Sequence, residues 1–300
     1  MDASVRILHN VFQGETFGFL IAMYFYLTGL SAGSFIISTL AYGFGIQRFK
    51  PLGKIGIVLA TLLLLVAPLC LLAHAGKPLR AWHLFVYLNM TSPITWGSFL
   101  LTIYPINCII YGYFMFKGNA RLTKIFGLVG IPLALMVHGY TGFILLFGKA
   151  RALWSSPIMP VLFLVSAMVS GIAMMIIVTA IKDRFFTGDR KINKDLIFEL
   201  GKILGWTIVL DLVLVVCETV HHLVSHREAY EAAMMMLTGS FMPYFVGLEN
   251  LLGKIVPLSV VFLPKLKKVS WYIFASILVL IGIFTMRCNV VIGGEALPLF

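Results

Sequence analysis

The chain has 300 residues, 60% of them hydrophobic and 12% charged, with a mean hydropathy of +0.98. A soluble domain carries about 25% charged residues, so this composition excludes a soluble globular protein and points to a membrane one. The 23 basic against 12 acidic side chains read as basic loops that orient helices in a bilayer, and no nucleic-acid partner is expected.

A spanning helix needs about 20 apolar residues. Eight stretches qualify: Phe17–Phe44, Ile55–Ala73, Ile94–Phe116, Ile125–Phe147, Pro157–Ile181, Ile203–Val224, Phe241–Leu263 and Trp271–Cys288. No strand alternation competes with them, so the fold class is all-α integral membrane protein. The N-terminus shows no cleavable signal, and the first span is expected to act as its own insertion signal. Four scattered cysteines without a C-x-x-C pair argue against a protein-bound iron–sulfur cluster or structural zinc.

The loops on the N-terminal side carry Arg6, Lys77, Arg80, Lys149, Arg151, Arg227 and Arg287. The opposite loops carry about twice as many basic residues, and the positive-inside rule puts those in the cytoplasm. Both termini and the His74–Arg80 loop are then expected on the outer, periplasmic side. The spans divide at Lys149–Pro157 into four and four. YLTGLSAGS in the first span and LVSAMVSGI in the fifth read alike. This predicts two four-helix bundles, residues 1–150 and 151–300. Gly29-x3-Gly33 and Ser166-x3-Ser170 are spacings that let helix backbones approach closely.

Ionisable residues inside a bilayer are costly and each raises a functional hypothesis. Gln13, Glu15 and Thr16 open the first span, His74, Lys77 and Arg80 close the second, and His138, Tyr140 and Thr141 lie in the outer half of the fourth. Three helices thus bring donors, a histidine and a carboxylate to one level. That suits a quinone headgroup, whose carbonyls need donors and whose redox change needs a proton relay. Read separately, Lys77 and Arg80 are ordinary interfacial anchors whose ammonium and guanidinium snorkel to lipid headgroups.

In the second half, Asp211 and Glu218 are seven apart and share a helical face. His221 and His222 follow a turn later, Glu249, Asn250 and Lys254 lie on the seventh span, and Arg287 near the end of the eighth. Carboxylates at successive depths are what a proton path needs, and Asp211, Glu218, His221, Glu249 and Arg287 form the candidate path. The static alternative pairs Glu218 or Glu249 with Arg287. Lys254 is expected to pair with Asp211, both being deeper than Glu218. A b-type haem would want histidines facing one another within spans. Only His138 is clearly inside one, so no haem is expected.

Five segments resemble the NrfD/PsrC family of membrane subunits: FLIAMYFYLTGLSAGSF, APLCLLAHAGKPLRAWH followed by TSPITWGSFLL, ALWSSPIMPVLFLVSAMVSG, VGLENLLGKIVPL and MRCNVVIGGE. They run in order over nearly the whole chain. The resemblance implies two four-helix bundles without haem in a prokaryotic cytoplasmic membrane. It implies electron exchange between quinone (menaquinone or ubiquinone) and a four-cluster ferredoxin-like iron–sulfur subunit. That subunit usually connects to a molybdopterin enzyme. Two departures stand out. The loop after span two has Ala73-His74-Ala75 where the family commonly has an acidic residue. Thr16 stands where polysulfide reductase has a quinone-linked histidine, so His74 or Glu15 is expected to exchange the headgroup proton. The rival reading from another class is a redox-free proton or ion transporter, which broken helices or a midplane substrate site would favour.

Overall fold

The computed structural model describes residues 17–148, 151–185 and 193–296. Gln13, Glu15 and Thr16 lie outside these residues. Eight helices are long and apolar enough to cross a membrane. They are α1 (Phe19–Tyr42), α2 (Lys50–His74), α3 (Pro93–Lys117), α4 (Ala120–Leu146), α5 (Met159–Phe185), α6 (Lys194–Val224), α7 (Pro243–Phe262) and α8 (Val269–Ala296).

Local chemistry sets their ends. Asn119 and Asn193 cap α4 and α6, their side-chain oxygens accepting from Leu122 and Leu196 N–H groups, which satisfies donors that a helix start leaves open. Pro51, Pro93 and Pro243 sit in first turns, where no backbone donor is lost. Gly118 ends α3 with φ 78°, a left-handed conformation that glycine adopts without steric cost. Three helices are longer than the apolar runs suggested. α2 starts at Lys50, α6 at Lys194, and α8 ends at Ala296. Apolarity marks only the stretch in hydrocarbon, whereas the backbone hydrogen-bond ladder continues into the polar boundary.

α7 differs in kind. Its Pro243–Ile255 stretch is a π-helix, followed by about two α-helical turns over Val256–Phe262. A π-helix stacks residues five apart rather than four. Asn250 Nδ2 accordingly donates to the Phe245 carbonyl five residues back, at 2.8 Å.

α1 and α5 are the inner helices. About 72% of the apolar window of α1 and 61% of that of α5 is buried, against 28–39% for the others. α1 packs on α2, α4, α5 and α8, and α5 on α1, α4, α6 and α8. α3 packs on α2 and α4, and α7 on α6 and α8. One end of the molecule is sewn together by Trp154, whose indole N–H donates to the Val290 carbonyl at 2.7 Å, and by Glu295, which accepts from the Phe17 N–H at 2.7 Å. At the other end Arg48 pairs with Glu199. A short amphipathic helix, Arg227–Leu237, lies between α6 and α7 and buries Ala229, Ala232, Ala233 and Met236.

The first spacing motif has two separate uses. Gly29 makes room for the His138 imidazole, since a Cβ there would come within 2.9 Å of its Cε1. Gly33 crosses α5, where a Cβ would stand 2.4 Å from the Ala167 carbonyl oxygen and 2.8 Å from Gly171 Cα. These are backbone atoms that cannot step aside. Gly33→Ala should therefore push the two inner helices apart and cost about 1–3 kcal/mol. Thermal unfolding in detergent should show this loss and no change for Gly76→Ala, which meets nothing within 4 Å.

Candidate functional site

The polar residues of the sequence separate into three groups. The first lies at the end of the molecule that holds the start of α1. His74 is half-buried at the last position of α2, and Lys77 and Arg80 are exposed in the loop after it. The Tyr140 ring leans on the opening turn of α3, where a Cβ on Gly97 would approach it to 2.3 Å.

His138 does not join them. Two residues from Tyr140 on a helix, it faces nearly the opposite way, into the seam among α1, α4, α5 and α8. Its Nε2 is 2.9 Å from the Phe163 carbonyl, which can only accept, so Nε2 carries the proton of this bond. The expected convergence of His138 with Tyr140 is thereby corrected.

Arg287 completes this second group. It is fully buried, with its guanidinium 3.8 Å from the Phe163 ring centroid. Nη2 donates to Ser166 Oγ at 2.7 Å and to the Phe163 carbonyl at 3.2 Å, and lies 3.2 Å from His138 Nε2. The static pairing of Arg287 with Glu218 or Glu249 is not found among the described residues, because those carboxylates turn elsewhere. The seam between the two halves thus holds an arginine bonded to neutral groups of α5, with His138 of α4 alongside.

The third group is built on α6, α7 and α8. Lys254 Nζ stands 2.8 Å from Asp211 Oδ2 and 3.3 Å from Glu249 Oε1. The first contact is the pair anticipated from depth. The second depends on the π-helix. On an α-helix, residues 249 and 254 would point roughly 140° apart at 3.6 residues per turn, whereas π-helical winding stacks them. Glu249 Oε2 also accepts from Asn289 Nδ2 at 2.8 Å. Two carboxylates therefore share one ammonium in a buried triad. Further along α6, Glu218 Oε2 accepts from Ser156 Oγ at 2.6 Å. His222 Nδ1 donates to the Glu218 carbonyl at 2.8 Å and lies 3.9 Å from its Oε1.

His222, not His221, turns inward beside Glu218. The spacing carries this, since 211, 215, 218 and 222 fall on one helical face. Asn289 and Ser156 give no comparable signal. Asn289 lies just past the apolar run ending at Cys288, and Ser156 sits in a loop where serine is ordinary. Among the described residues no three His, Cys, Asp or Glu side chains come together as a metal would require.

The architecture and these buried groups define a multi-pass helical membrane protein with ionisable side chains held inside its spans. The chain belongs to the NrfD family: the description "Polysulphide reductase, NrfD" matches residues 8–298. It is 29% identical to the C component of selenate reductase from Mesobacillus selenatarsenatis, over 95% of this chain and 75% of that protein. It is 29% identical to the Hdr-like menaquinol oxidoreductase integral membrane subunit of Archaeoglobus fulgidus, over 91% and 69%. It is 30% identical to the C component of polysulfide reductase from Wolinella succinogenes, over 51% of this chain and 55% of that protein. The relatives' names make them parts of reductase or oxidoreductase complexes, and the Archaeoglobus one is named as an integral membrane subunit.

Proposed function

We propose that the chain is the quinone-reactive membrane anchor of a multi-subunit respiratory oxidoreductase in a prokaryotic cytoplasmic membrane. It exchanges electrons between the quinone pool and an iron–sulfur partner, a four-cluster ferredoxin-like subunit that leads to a molybdopterin or other redox catalytic subunit. The observation that carries this reading is family membership over residues 8–298, with relatives named for menaquinol and menaquinone chemistry. Menaquinone is accordingly the first quinone to try.

In this reading residues 1–150 and 151–300 are two four-helix bundles with both termini outside. Quinone is held at the outer end of the first bundle by Gln13, Glu15, Thr16, His74, Lys77, Arg80 and Tyr140. His138 is reassigned from the headgroup to the Arg287 seam, since its Nε2 is committed to Phe163. The Asp211–Lys254–Glu249 triad and Glu218 carry a proton-transfer function in the second bundle. Matches to reductase subunits weigh against a redox-free transporter.

Copurification in mild detergent should bring down an iron–sulfur protein. Its crosslinks should fall on Lys77–Trp82 and Lys149–Ser156. In that complex His74→Ala should lower quinol-linked turnover about tenfold or more, equivalent to about 1.4 kcal/mol of transition-state stabilisation. Dye-linked activity of the partner should persist. Wild-type quinol turnover in His74→Ala would remove His74 from the site. Crosslinks confined to Lys182–Lys202 and Lys265–Lys268 would mean that the topology or the docking face is wrong.

A further inference from the structure

The second half of the molecule holds a cavity of about 60 Å³, bounded by α5, α6, α7, α8 and the helix Arg227–Leu237. Five polar side chains line it: Glu218, Thr219, His222, Glu249 and Asn289. Its volume is room for a few waters. Buried polar groups without partners are costly. Glu218 Oε1 and His222 Nε2 are such groups, each buried without a hydrogen-bond partner among the described residues. Both belong to side chains at the cavity wall. A small chamber walled mostly by apolar side chains, into which an unpaired acceptor and an unpaired imidazole nitrogen reach, is a site for water and an exchangeable proton.

Its position relative to the triad gives it a direction. The Asp211 and Lys254 side chains are 0% exposed, Glu249 is 2% and Glu218 is 11%. His222 is 4% exposed, so the chamber's two titratable groups on α6 are less enclosed than the triad. Asp211 and Glu218 are seven residues apart, about 10 Å along the helix, too far for direct transfer. Glu249 bridges this gap, touching Lys254 on one side and the cavity on the other. The triad carries two carboxylates against one ammonium, so one negative charge is in excess and one proton can be held there and given up.

Resting on the coupling read above, we propose that this cavity is a hydrated proton-exchange chamber, in which Glu218 and His222 connect the buried Asp211–Lys254–Glu249 triad to the outer aqueous phase. A proton on the Glu249 carboxyl passes through chamber water to the Glu218 carboxylate, leaving Glu249 as carboxylate. Glu218 passes it to His222 Nε2 or directly to outer water, and returns to carboxylate. Each step moves one proton and no electrons. The exit is separate from the quinone site, which lies at the end of α2 and the start of α3. The chamber's cover is the helix Arg227–Leu237, whose Ala233 and Met236 close the wall.

The test uses the intact complex in sealed vesicles and two readouts. The first needs no turnover. Thr219 lines the cavity, whereas native Cys217, two residues away on α6, is exposed on the molecule's lipid-facing surface. Silver ion added outside, close to water in size, should bind Thr219→Cys and leave Cys217 unbound, since lipid-facing thiols do not ionise; labelled thiols are those that a maleimide no longer reaches. Filling the chamber with Ala233→Phe should block that labelling. The second readout is protons released per quinol oxidised. Glu218→Gln should lower this ratio by half or more, and Glu218→Asp should restore most of it. Thr219→Cys that stays unlabelled, or is labelled only from inside, overturns the chamber whatever the quinone chemistry. Labelling together with a wild-type ratio in Glu218→Gln overturns its proton role. Absence of quinol turnover in the wild type sinks the quinone reading, while the labelling result still decides the chamber.

Discussion

Lys254→Met should destabilise the protein by about 3–5 kcal/mol, the range for removing one partner from a buried ion pair. Asp211 and Glu249 would then stand without a counter-charge at a site that is 0–2% exposed. The charge count orders the other variants. Asp211→Asn leaves Lys254 with Glu249, and Glu249→Gln leaves it with Asp211, so each keeps one cation against one anion. Both should assemble with the partner subunits and lose much less stability than Lys254→Met. Combining Lys254→Met with Asp211→Asn and Glu249→Gln removes every charge and should recover most of the loss. Complex yield and thermal unfolding in detergent measure all four. A Lys254→Met protein as stable as wild type would show that the triad carries no net burden of charge. The assembled Asp211→Asn and Glu249→Gln variants also separate transport from scaffolding. As transport residues they should lower the proton-to-quinol ratio, and as mere ion pairs they should leave it unchanged.

The helices were legible because hydrocarbon imposes a length and an apolarity on any span. That constraint is local and one-dimensional, so eight spans could be counted without knowing which touch. Their ends were less legible. Lys50 to Lys54 and Lys194 to Lys202 carry charges that a hydropathy reading assigns to loops, yet Pro51 and the Asn193 cap begin helices there. Small-residue spacing correctly marked α1 as a close-packed helix. It could not tell that Gly29 accommodates an imidazole while Gly33 accommodates a backbone.

Depth was legible and direction was not. Asp211 and Lys254 were matched from their depth alone, and the structure pairs them at 2.8 Å. His138 and Tyr140 share a depth and face nearly opposite ways, which helical phase alone could have shown. The Glu249–Lys254 contact was out of reach in principle. It depends on π-helical winding of Pro243–Ile255, and residue identity there gives no period-five signal. Cavities are likewise a property of packing, so the chamber beside Glu218 leaves no trace in the sequence beyond its titratable residues.

Arg287→Met and Arg287→Ala should differ sharply in stability, and the contrast reports what the arginine is for. Among the described residues the guanidinium touches no carboxylate: its bonds go to Ser166 and the Phe163 carbonyl, with His138 alongside. Methionine would keep most of the buried volume and orphan no counter-charge. Phe163 O would still accept from His138 Nε2 at 2.9 Å and from Ser166 Oγ at 2.9 Å. Swaps that conserve volume usually cost under about 1.5 kcal/mol, so Arg287→Met should be nearly as stable as wild type. Alanine would remove the packing on the Phe163 ring, 3.8 Å away, and open a void at the junction of α4, α5 and α8. Large-to-small changes of this kind cost about 2–5 kcal/mol. Arg287 is the one cationic side chain at the described seam between the halves. If its charge links the quinone half to the triad half, Arg287→Met should assemble normally and yet release fewer protons per quinol. Thermal unfolding and the vesicle ratio are read on the same preparations. A Met variant as unstable as Lys254→Met would mean that Arg287 compensates a buried carboxylate after all, and a stable Met variant with the wild-type ratio would leave it a packing role only.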